Sequence, residues 1–124
     1  MSRESYQKLI VWQRAMELVR AVYALVKQLP REERYNLTSQ ICRAAVSVPS
    51  NIAEGYKRRN TREYIQFLSI ANASAAEVEA QLLIIDQIYL FDCSIALSLV
   101  GEAQKMLNKM IKTLVQKNSL ISNP

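Results

Sequence analysis

Apolar residues recur along most of the chain at intervals of three and four residues, the spacing of amphipathic helices. The pattern predicts four helices, over about residues 8–29, 37–57, 61–90 and 94–117, followed by a polar tail over residues 118–124. Because the connections between these long helices are short, consecutive helices are expected to run antiparallel. The predicted fold is therefore all-α, a single antiparallel up-down-up-down four-helix bundle that comprises the whole chain.

The first predicted helix has a wide apolar surface. One line of apolar residues runs along it, and a second line widens the surface to about half of the circumference. A helix that packs against one neighbour needs a stripe of only about 100°, so this helix is expected to touch several partners. The two lines are Trp12, Met16, Val19, Tyr23 and Val26, and Val11, Ala15, Leu18, Val22 and Leu25.

The second predicted helix carries a proline in its interior. Its apolar positions continue in phase from Val48 to Ile52, on both sides of Pro49. We therefore expect Pro49 to kink this helix rather than to end it. The lost hydrogen bond to the carbonyl of Ala45 costs about 3 kcal/mol in a regular helix interior. Ser47 or a bound water is expected to satisfy that carbonyl.

Residues that can cap a helix mark the starts of the third and fourth predicted helices. Asn60 lies three residues before Glu63, which is the spacing of a capping box, although with Asn in place of Ser or Thr. Asp92 or Ser94 is expected to cap the fourth helix.

Several aliphatic residues of the third helix lie off its main apolar stripe and would be exposed in an isolated bundle. Together with the wide surface of the first helix, they would form a larger apolar patch than a soluble monomer usually exposes. We therefore predict self-association, although scattered surface aliphatics are ordinary in soluble proteins. The candidate residues of the oligomer interface are Ile65, Leu83, Ile84 and Ile88.

Basic residues are clustered, and the formal net charge of the chain is +5. Such clusters can neutralise phosphates and give salt-sensitive, sequence-independent affinity, which predicts RNA or DNA as a partner. Alternatively, they form a solvated surface that keeps the protein soluble. The candidate nucleic-acid-binding residues are Lys57, Arg58, Arg59 and Arg62 around the second connection, and Lys105, Lys109 and Lys112 on the last helix.

A row of polar residues follows the second predicted helix on the side away from its apolar stripe. Its members are Arg43, Ser47, Ser50, Asn51 and Glu54. The simpler interpretation is a polar network that fixes a contact between helices or subunits, with Arg43 and Glu54 as charge partners. The alternative interpretation is a ligand site.

The composition gives little support for catalysis. The chain contains no histidine, which removes the commonest general base and the commonest metal ligand. No catalytic residue, metal site or cofactor is predicted. Cys42 and Cys93 do not form a disulfide framework, which favours reduced thiols and a cytoplasmic location. No run of about eighteen apolar residues is present to span a membrane, and no membrane partner is expected.

The most distinctive stretch of sequence is Ser47-Val-Pro-Ser-Asn-Ile-Ala-Glu-Gly55. Through this stretch, the chain resembles the rRNA intervening-sequence protein family, also called the four-helix-bundle protein family. The accessory proteins of diversity-generating retroelements are more distant relatives of that family. The resemblance extends from Val11-Trp12 to Glu77 and covers nearly the whole chain. One departure is Ala73, where the family pattern has Gly before the serine.

The resemblance implies a bacterial protein that assembles into a closed ring of four-helix bundles, with a homopentamer as the first expectation. In such a ring, the basic patches of the copies would add to form one composite surface. By analogy, the resemblance also implies a nucleic-acid-binding or ribonucleoprotein accessory module, with a reverse transcriptase as one partner. The competing hypothesis is a structural scaffold that binds another protein through its exposed apolar helix surface.

Overall fold

The computed structural model describes residues 5–122 of the chain. Over these residues, it consists of four long α-helices and two short 3-10 helices, without strands. The predicted all-α class is therefore confirmed. In chain order, the elements are a 3-10 helix at Tyr6–Lys8, α1 at Ile10–Val26, a 3-10 helix at Arg31–Glu33, α2 at Leu37–Tyr56, α3 at Thr61–Tyr89 and α4 at Ser94–Ser122.

The four helices form a closed bundle. Each helix packs against the next one along the chain, and α4 packs against α1. The diagonal pairs, α1 with α3 and α2 with α4, do not pack together. Because the connections are short, consecutive helices run antiparallel, as predicted for a four-helix bundle. The start of α1, the α2–α3 connection and the end of α4 therefore lie at one end of the bundle, which we call the first end; the other two connections lie at the second end.

Only half of the apolar surface of α1 is buried in the core of the bundle. The line that begins with Val11 is buried, whereas Trp12, Met16 and Val19 are half-buried and Tyr23 is 47% exposed. The outer half of this surface is thus only partly covered by the rest of the protein. The largest fully buried side chains of the core are Leu18, Ile41, Ile52, Leu68, Leu82, Ile85 and Leu107.

The last helix is longer than predicted. The sequence predicted a polar tail over residues 118–124, but α4 continues to Ser122. Polar side chains alone do not end a helix, and no glycine or proline occurs between Gly101 and Pro124. The prediction for residues 118–122 is therefore wrong, and residues 123–124 lie outside the described residues.

Pro49 lies buried inside α2, and the helix continues beyond it. The prediction that Pro49 does not end the helix is confirmed. Of the two groups expected to satisfy the freed carbonyl of Ala45, Ser47 is engaged elsewhere. Its hydroxyl oxygen lies 2.8 Å from that of Ser74 on α3 and accepts a hydrogen bond from the side-chain amide of Asn51 at 2.9 Å.

α2 and α3 come close together at Gly55. A Cβ atom at this position would lie 2.7 Å from Cβ of Phe67 and 3.1 Å from the ring of Tyr64. Separations below about 3 Å are not tolerated without a shift of the neighbouring atoms, so the absence of a side chain allows this approach. A Cβ atom at Gly101 in α4 would meet nothing within 4 Å.

A side-chain amide caps the start of α3, and a carboxylate caps the start of α4. Asn60 caps α3 as predicted, since its side-chain oxygen accepts the backbone N–H of Glu63 at 2.8 Å. The Glu63 carboxylate accepts from the Asn60 side-chain amide at 3.4 Å. At α4, the Asp92 carboxylate accepts the backbone N–H of Ser94 at 3.0 Å. Hydrogen bonds from Ser94 lower the pKa of Asp92, so this carboxylate is ionised at neutral pH.

Candidate nucleic-acid and self-association surfaces

The basic cluster of the α2–α3 connection lies beside the last turns of α4. Arg62, at the start of α3, lines one surface pocket together with Asn60, Thr61 and Asn118. The antiparallel fold thus brings the second connection next to the half of α4 that carries Lys109 and Lys112. Arg62 and Lys112, which are fifty residues apart in the sequence, therefore both lie toward the first end of the bundle, whereas Lys105 lies closer to its middle.

Within the connection, the four basic residues have different surroundings. Arg58 donates to the Glu54 carboxylate at 3.1 Å, and its guanidinium lies 4.7 Å from the centroid of the Phe67 ring. Lys57 lies 5.7 Å from the centroid of the Tyr6 ring. Arg58 and Lys57 thus contribute to the packing of this end as well as to its charge. The other two members, Arg59 and Arg62, are exposed and have no acidic partner among the described residues.

The lysines of α4 form the second part of the basic surface. Lys105, Lys109 and Lys112 are all exposed, and none of them forms an ion pair with a described residue. No acidic residue follows Glu102 in the chain, so the second half of α4 contributes only positive charge. A surface of this kind attracts phosphate groups without reading sequence.

The last carboxylate of α4 is held by α1 and does not neutralise these lysines. Arg14 on α1 donates to Glu102 at 2.9 Å and also contacts Glu17 at 3.3 Å. The hydrogen bond with Glu102 and the charges of both carboxylates raise the pKa of Arg14. This pair therefore fastens α1 to α4 near the middle of the bundle.

The predicted ion pair between Arg43 and Glu54 is wrong. Eleven residues separate them, which corresponds to about 16 Å along a helix. Arg43 instead donates to the hydroxyl of Ser39 at 3.4 Å, and Glu54 pairs with Arg58. The positive charge of Arg43 is therefore exposed and has no described acidic partner.

The remaining members of the polar row on α2 divide between two surfaces. Ser47 and Asn51 are half-buried and face α3, where Ser47 contacts Ser74. Ser50 is exposed and borders a groove between α1 and α2. The row is thus not one constellation, and nothing in its geometry brings all five side chains together.

The outer face of α3 is apolar along most of its length. Leu83 is 46% exposed, Ile84 is 43% exposed and Ile88 is 62% exposed, whereas Ile65 is half-buried at the edge of the face. Ile70, another aliphatic residue off the main apolar stripe of this helix, is 49% exposed on the same face. Three of the four candidate interface residues therefore lie where a partner could cover them.

Two apolar grooves were not foreseen from the sequence, because each is lined by helices that are distant in the chain. One, of about 320 Å³, lies between α1 and α2; its lining includes Trp12, Met16, Val46 and Pro49. The other, of about 640 Å³, lies between α1 and α4 at the first end and reaches Tyr64 of α3. The only signal in the sequence was the wide apolar surface of α1.

The thiols have no environment that would activate them. Cys93 is buried and Cys42 is half-buried, and burial raises the pKa of both. Thiols with raised pKa values are poor nucleophiles at neutral pH. Among the described residues, no group of three or more Cys, Asp or Glu side chains is arranged to hold a metal ion.

The comparisons with known proteins agree with this fold. The model of the family described as 23S rRNA-intervening sequence protein matches residues 7–113. Among solved structures, a protein of unknown function from the S23 ribosomal protein family of Bacteroides thetaiotaomicron VPI-5482 is similar. The TM-score is 0.74 and the sequence identity is 27%, over 83% of this chain and 96% of that chain. A comparison with curated proteins gives no match.

One described helix, α3, is long and apolar enough to cross a membrane by length and composition alone. The core helices of soluble proteins can pass the same test. In this bundle, the buried side of α3 packs against α2 and α4, and the apolar outer face accounts for the remainder of its hydropathy. Neither the matching family model nor the similar solved structure is described as an enzyme.

Proposed function

Because the chain belongs to the 23S rRNA-intervening sequence protein family, we propose that it is a non-catalytic, oligomeric accessory module that binds RNA or DNA. A cytoplasmic homo-oligomer, with a pentamer as the first choice, would present its basic ends as one composite surface. Phosphate contacts supply affinity without base recognition, so the proposed binding has little sequence preference. A reverse transcriptase is a further proposed partner, by analogy with distant relatives.

The observation that supports this proposal is the common location of the two basic clusters at the first end of the bundle. Arg59 lies in the α2–α3 connection and Arg62 in the first turn of α3, and Lys109 and Lys112 come from α4. The nearest carboxylates at this end are engaged, since Glu54 pairs with Arg58. In an oligomer, repeated weak contacts would combine into a strong one, because the second contact becomes intramolecular.

A salt titration of RNA and DNA binding tests the proposal. The affinity of the wild-type protein should fall steeply as salt rises. A variant with Arg59→Ala and Arg62→Ala should bind more weakly to every sequence, and each lost contact should flatten the logarithmic salt slope by about 0.7 on a single strand. Arg58 is left unchanged, because its contacts with Glu54 and Phe67 give it a structural role.

The matched control removes the same charge from the second end of the bundle. Arg31→Ala with Arg34→Ala lowers the net charge by the same amount, and both residues are exposed. If binding depends on total charge alone, the two double variants will lose the same affinity. The proposal requires a larger loss at the first end. A wild-type protein that binds neither RNA nor DNA at low salt would refute it.

The lysines of α4 provide an independent test of the same surface. The triple variant Lys105→Ala, Lys109→Ala and Lys112→Ala should also weaken binding for all sequences. The fold should be preserved, since changes of exposed side chains usually alter stability by less than about 0.5 kcal/mol. Thermal unfolding of each variant separates a loss of affinity from a loss of structure.

The second candidate function is a scaffold that binds another protein. The observation that favours it is the outer face of α3, where Ile70, Leu83 and Ile84 are each more than 40% exposed. This function would take first place if the protein bound no nucleic acid and remained monomeric. In that case, the positive charge would serve solubility alone.

A further inference from the structure

The outer face of α3 forms a convex apolar ridge. All side chains at its outward positions between residues 66 and 88 are exposed, and small alanines lie between the exposed aliphatic residues. Only one of these side chains, Glu77, is charged. A ridge of this length with a single charge is unusual on a protein that also carries a net charge of +5, since charged residues are normally spread over exposed helix faces.

The groove between α1 and α2 is the complementary concave surface. Trp12, Met16, Val46 and Pro49 lie along it, and Val46 is 40% exposed. Its position on α1 coincides with the outer half of the apolar surface, which the core covers only in part. α1 and α3 occupy diagonal positions in the bundle, so one copy presents the ridge and the groove on different sides.

The charges around the two surfaces are also complementary. Arg20 lies one turn after Met16, and Arg43 lies one turn before Val46; neither arginine has an acidic partner among the described residues. Glu77 is the single charge of the ridge, and its carboxylate contacts only the side-chain amide of Gln81, at 3.5 Å. The groove therefore has unpaired positive charge beside it, and the ridge has one weakly engaged negative charge.

When the bundle axes of two copies are parallel, the residues of the ridge on one copy and those of the groove on the other lie at matching positions along the axis. If Glu77 is level with Arg43, then Ala73 lies about 6 Å toward the first end and Val46 about 4.5 Å toward the first end, at 1.5 Å per residue. The apolar part of the ridge then meets the apolar part of the groove. In an antiparallel arrangement, the exposed Ala73 would face away from Val46.

We propose that the α3 ridge of one copy docks in the α1–α2 groove of the next, with parallel bundle axes and with Glu77 facing Arg43 and Arg20. This inference rests on the self-association included in the proposed function and specifies its geometry. Because two different surfaces meet, the contact is heterologous and generates a ring or an open filament rather than a two-fold dimer. Parallel axes also bring the basic first ends of all copies to the same side of the assembly.

Disulfide crosslinking tests the pairing of surfaces. Because the free Cys42 lies one turn before Val46, the test is made in a Cys42→Ala background. In this background, oxidation of the variant with Val46→Cys and Ala73→Cys should produce a ladder of covalent oligomers, since each copy can bond to the next on both sides. Either single variant should give no more crosslinking than Cys42→Ala alone. Dimers from Ala73→Cys alone would reveal a ridge-to-ridge contact and overturn the proposal.

A charge exchange provides a second measurement that does not depend on disulfide geometry. Glu77→Arg and Arg43→Glu should each weaken assembly, and the combination of both changes should restore it. Restoration is expected for a pair that faces across an interface, because each single change places like charges together. If the double variant assembles less well than either single variant, the proposed pairing is wrong.

The two proposals fail in distinguishable ways. A protein that is oligomeric by light scattering, but shows neither the crosslinked ladder nor the restored charge pair, contradicts the ridge-and-groove contact and leaves nucleic-acid binding intact. A ladder from a protein that binds no RNA or DNA contradicts the nucleic-acid function and leaves the contact intact. A monomer at micromolar concentration contradicts the contact.

Discussion

α3 and α4 are equal in length but opposite in surface character. Each has 29 residues, the two helices pack against each other, and each contributes one side to the same core. Along its outward face, α3 exposes mostly aliphatic residues and alanine, with Glu77 as the one charge and Asp86 exposed near the second end, whereas the second half of α4 exposes lysine with no carboxylate. Neither outer face is required for the bundle, because packing uses only the inner sides.

The difference shows how one fold can separate two kinds of interaction. An uncharged face loses little when it is dehydrated against another protein, whereas a charged face is better kept in water or paired with phosphate. Under the two proposals above, the contact with other copies would use α3, and nucleic acid would bind α4 and the neighbouring connection. The outer faces of α3 and α4 belong to different helices, so a partner that docks on one face need not cover the other.

The largest expected effect is the dissociation of the oligomer by a charge on α3. Leu83→Glu should convert the assembly to monomers, because an unpaired carboxylate in an apolar contact is costly. Light scattering after size exclusion measures the mass. The matched control is Thr113→Glu on the exposed face of α4, which should leave the oligomer intact. Dissociation by both variants would mean that net charge, not the α3 face, controls assembly.

The fold was largely predictable, because a period of 3.6 residues reports directly which sides of the helices are buried. The all-α class and the passage of α2 through Pro49 followed from this period. The core line of α1 was not distinguished from its outer line, since both lines are apolar and adjacent. The end of α4 was also missed, because polar residues were taken as a tail although they are compatible with helix.

The candidate surfaces were less predictable, because they depend on which residues the bundle brings together. The sequence identified the basic clusters separately but did not reveal their common end. From the sequence, Arg43 was paired with Glu54 because both lie on the same side of α2. The distance between them along the helix axis was not taken into account. Gly55 was recognised only as the last residue of the distinctive stretch that begins at Ser47, although its role depends on Phe67, a residue of the next helix.

The two glycines give the next largest effect and extend the comparison to the inner side of α3. Gly55→Ala should destabilise the protein by about 1–3 kcal/mol, because the new Cβ atom overlaps Cβ of Phe67. Gly101→Ala in α4 should instead stabilise it by about 0.5–1 kcal/mol, since the site is open and alanine is the better helix former. Urea unfolding of both variants measures these changes. A loss of stability in both would show that the surroundings of Gly101 are tighter than the structure indicates.

The smallest expected effects concern the caps at the starts of the two helices. Asn60→Ala should destabilise α3 by about 1 kcal/mol at every pH, because the amide that accepts the Glu63 N–H does not titrate. Asp92→Ala should destabilise α4 most when the wild-type carboxylate is ionised.

The pKa of Asp92 is lowered in the folded state, so its stabilisation is present above the unfolded pKa and is lost as pH falls through the folded pKa. Denaturant unfolding of both variants at about pH 7 and about pH 2 therefore separates the two caps. The difference between wild type and Asp92→Ala should become smaller in acid, whereas the difference for Asn60→Ala should persist. An Asp92→Ala effect that stays constant with pH would mean that the charge of Asp92 contributes nothing, and that the α4 cap acts only through the geometry of its hydrogen bond with Ser94.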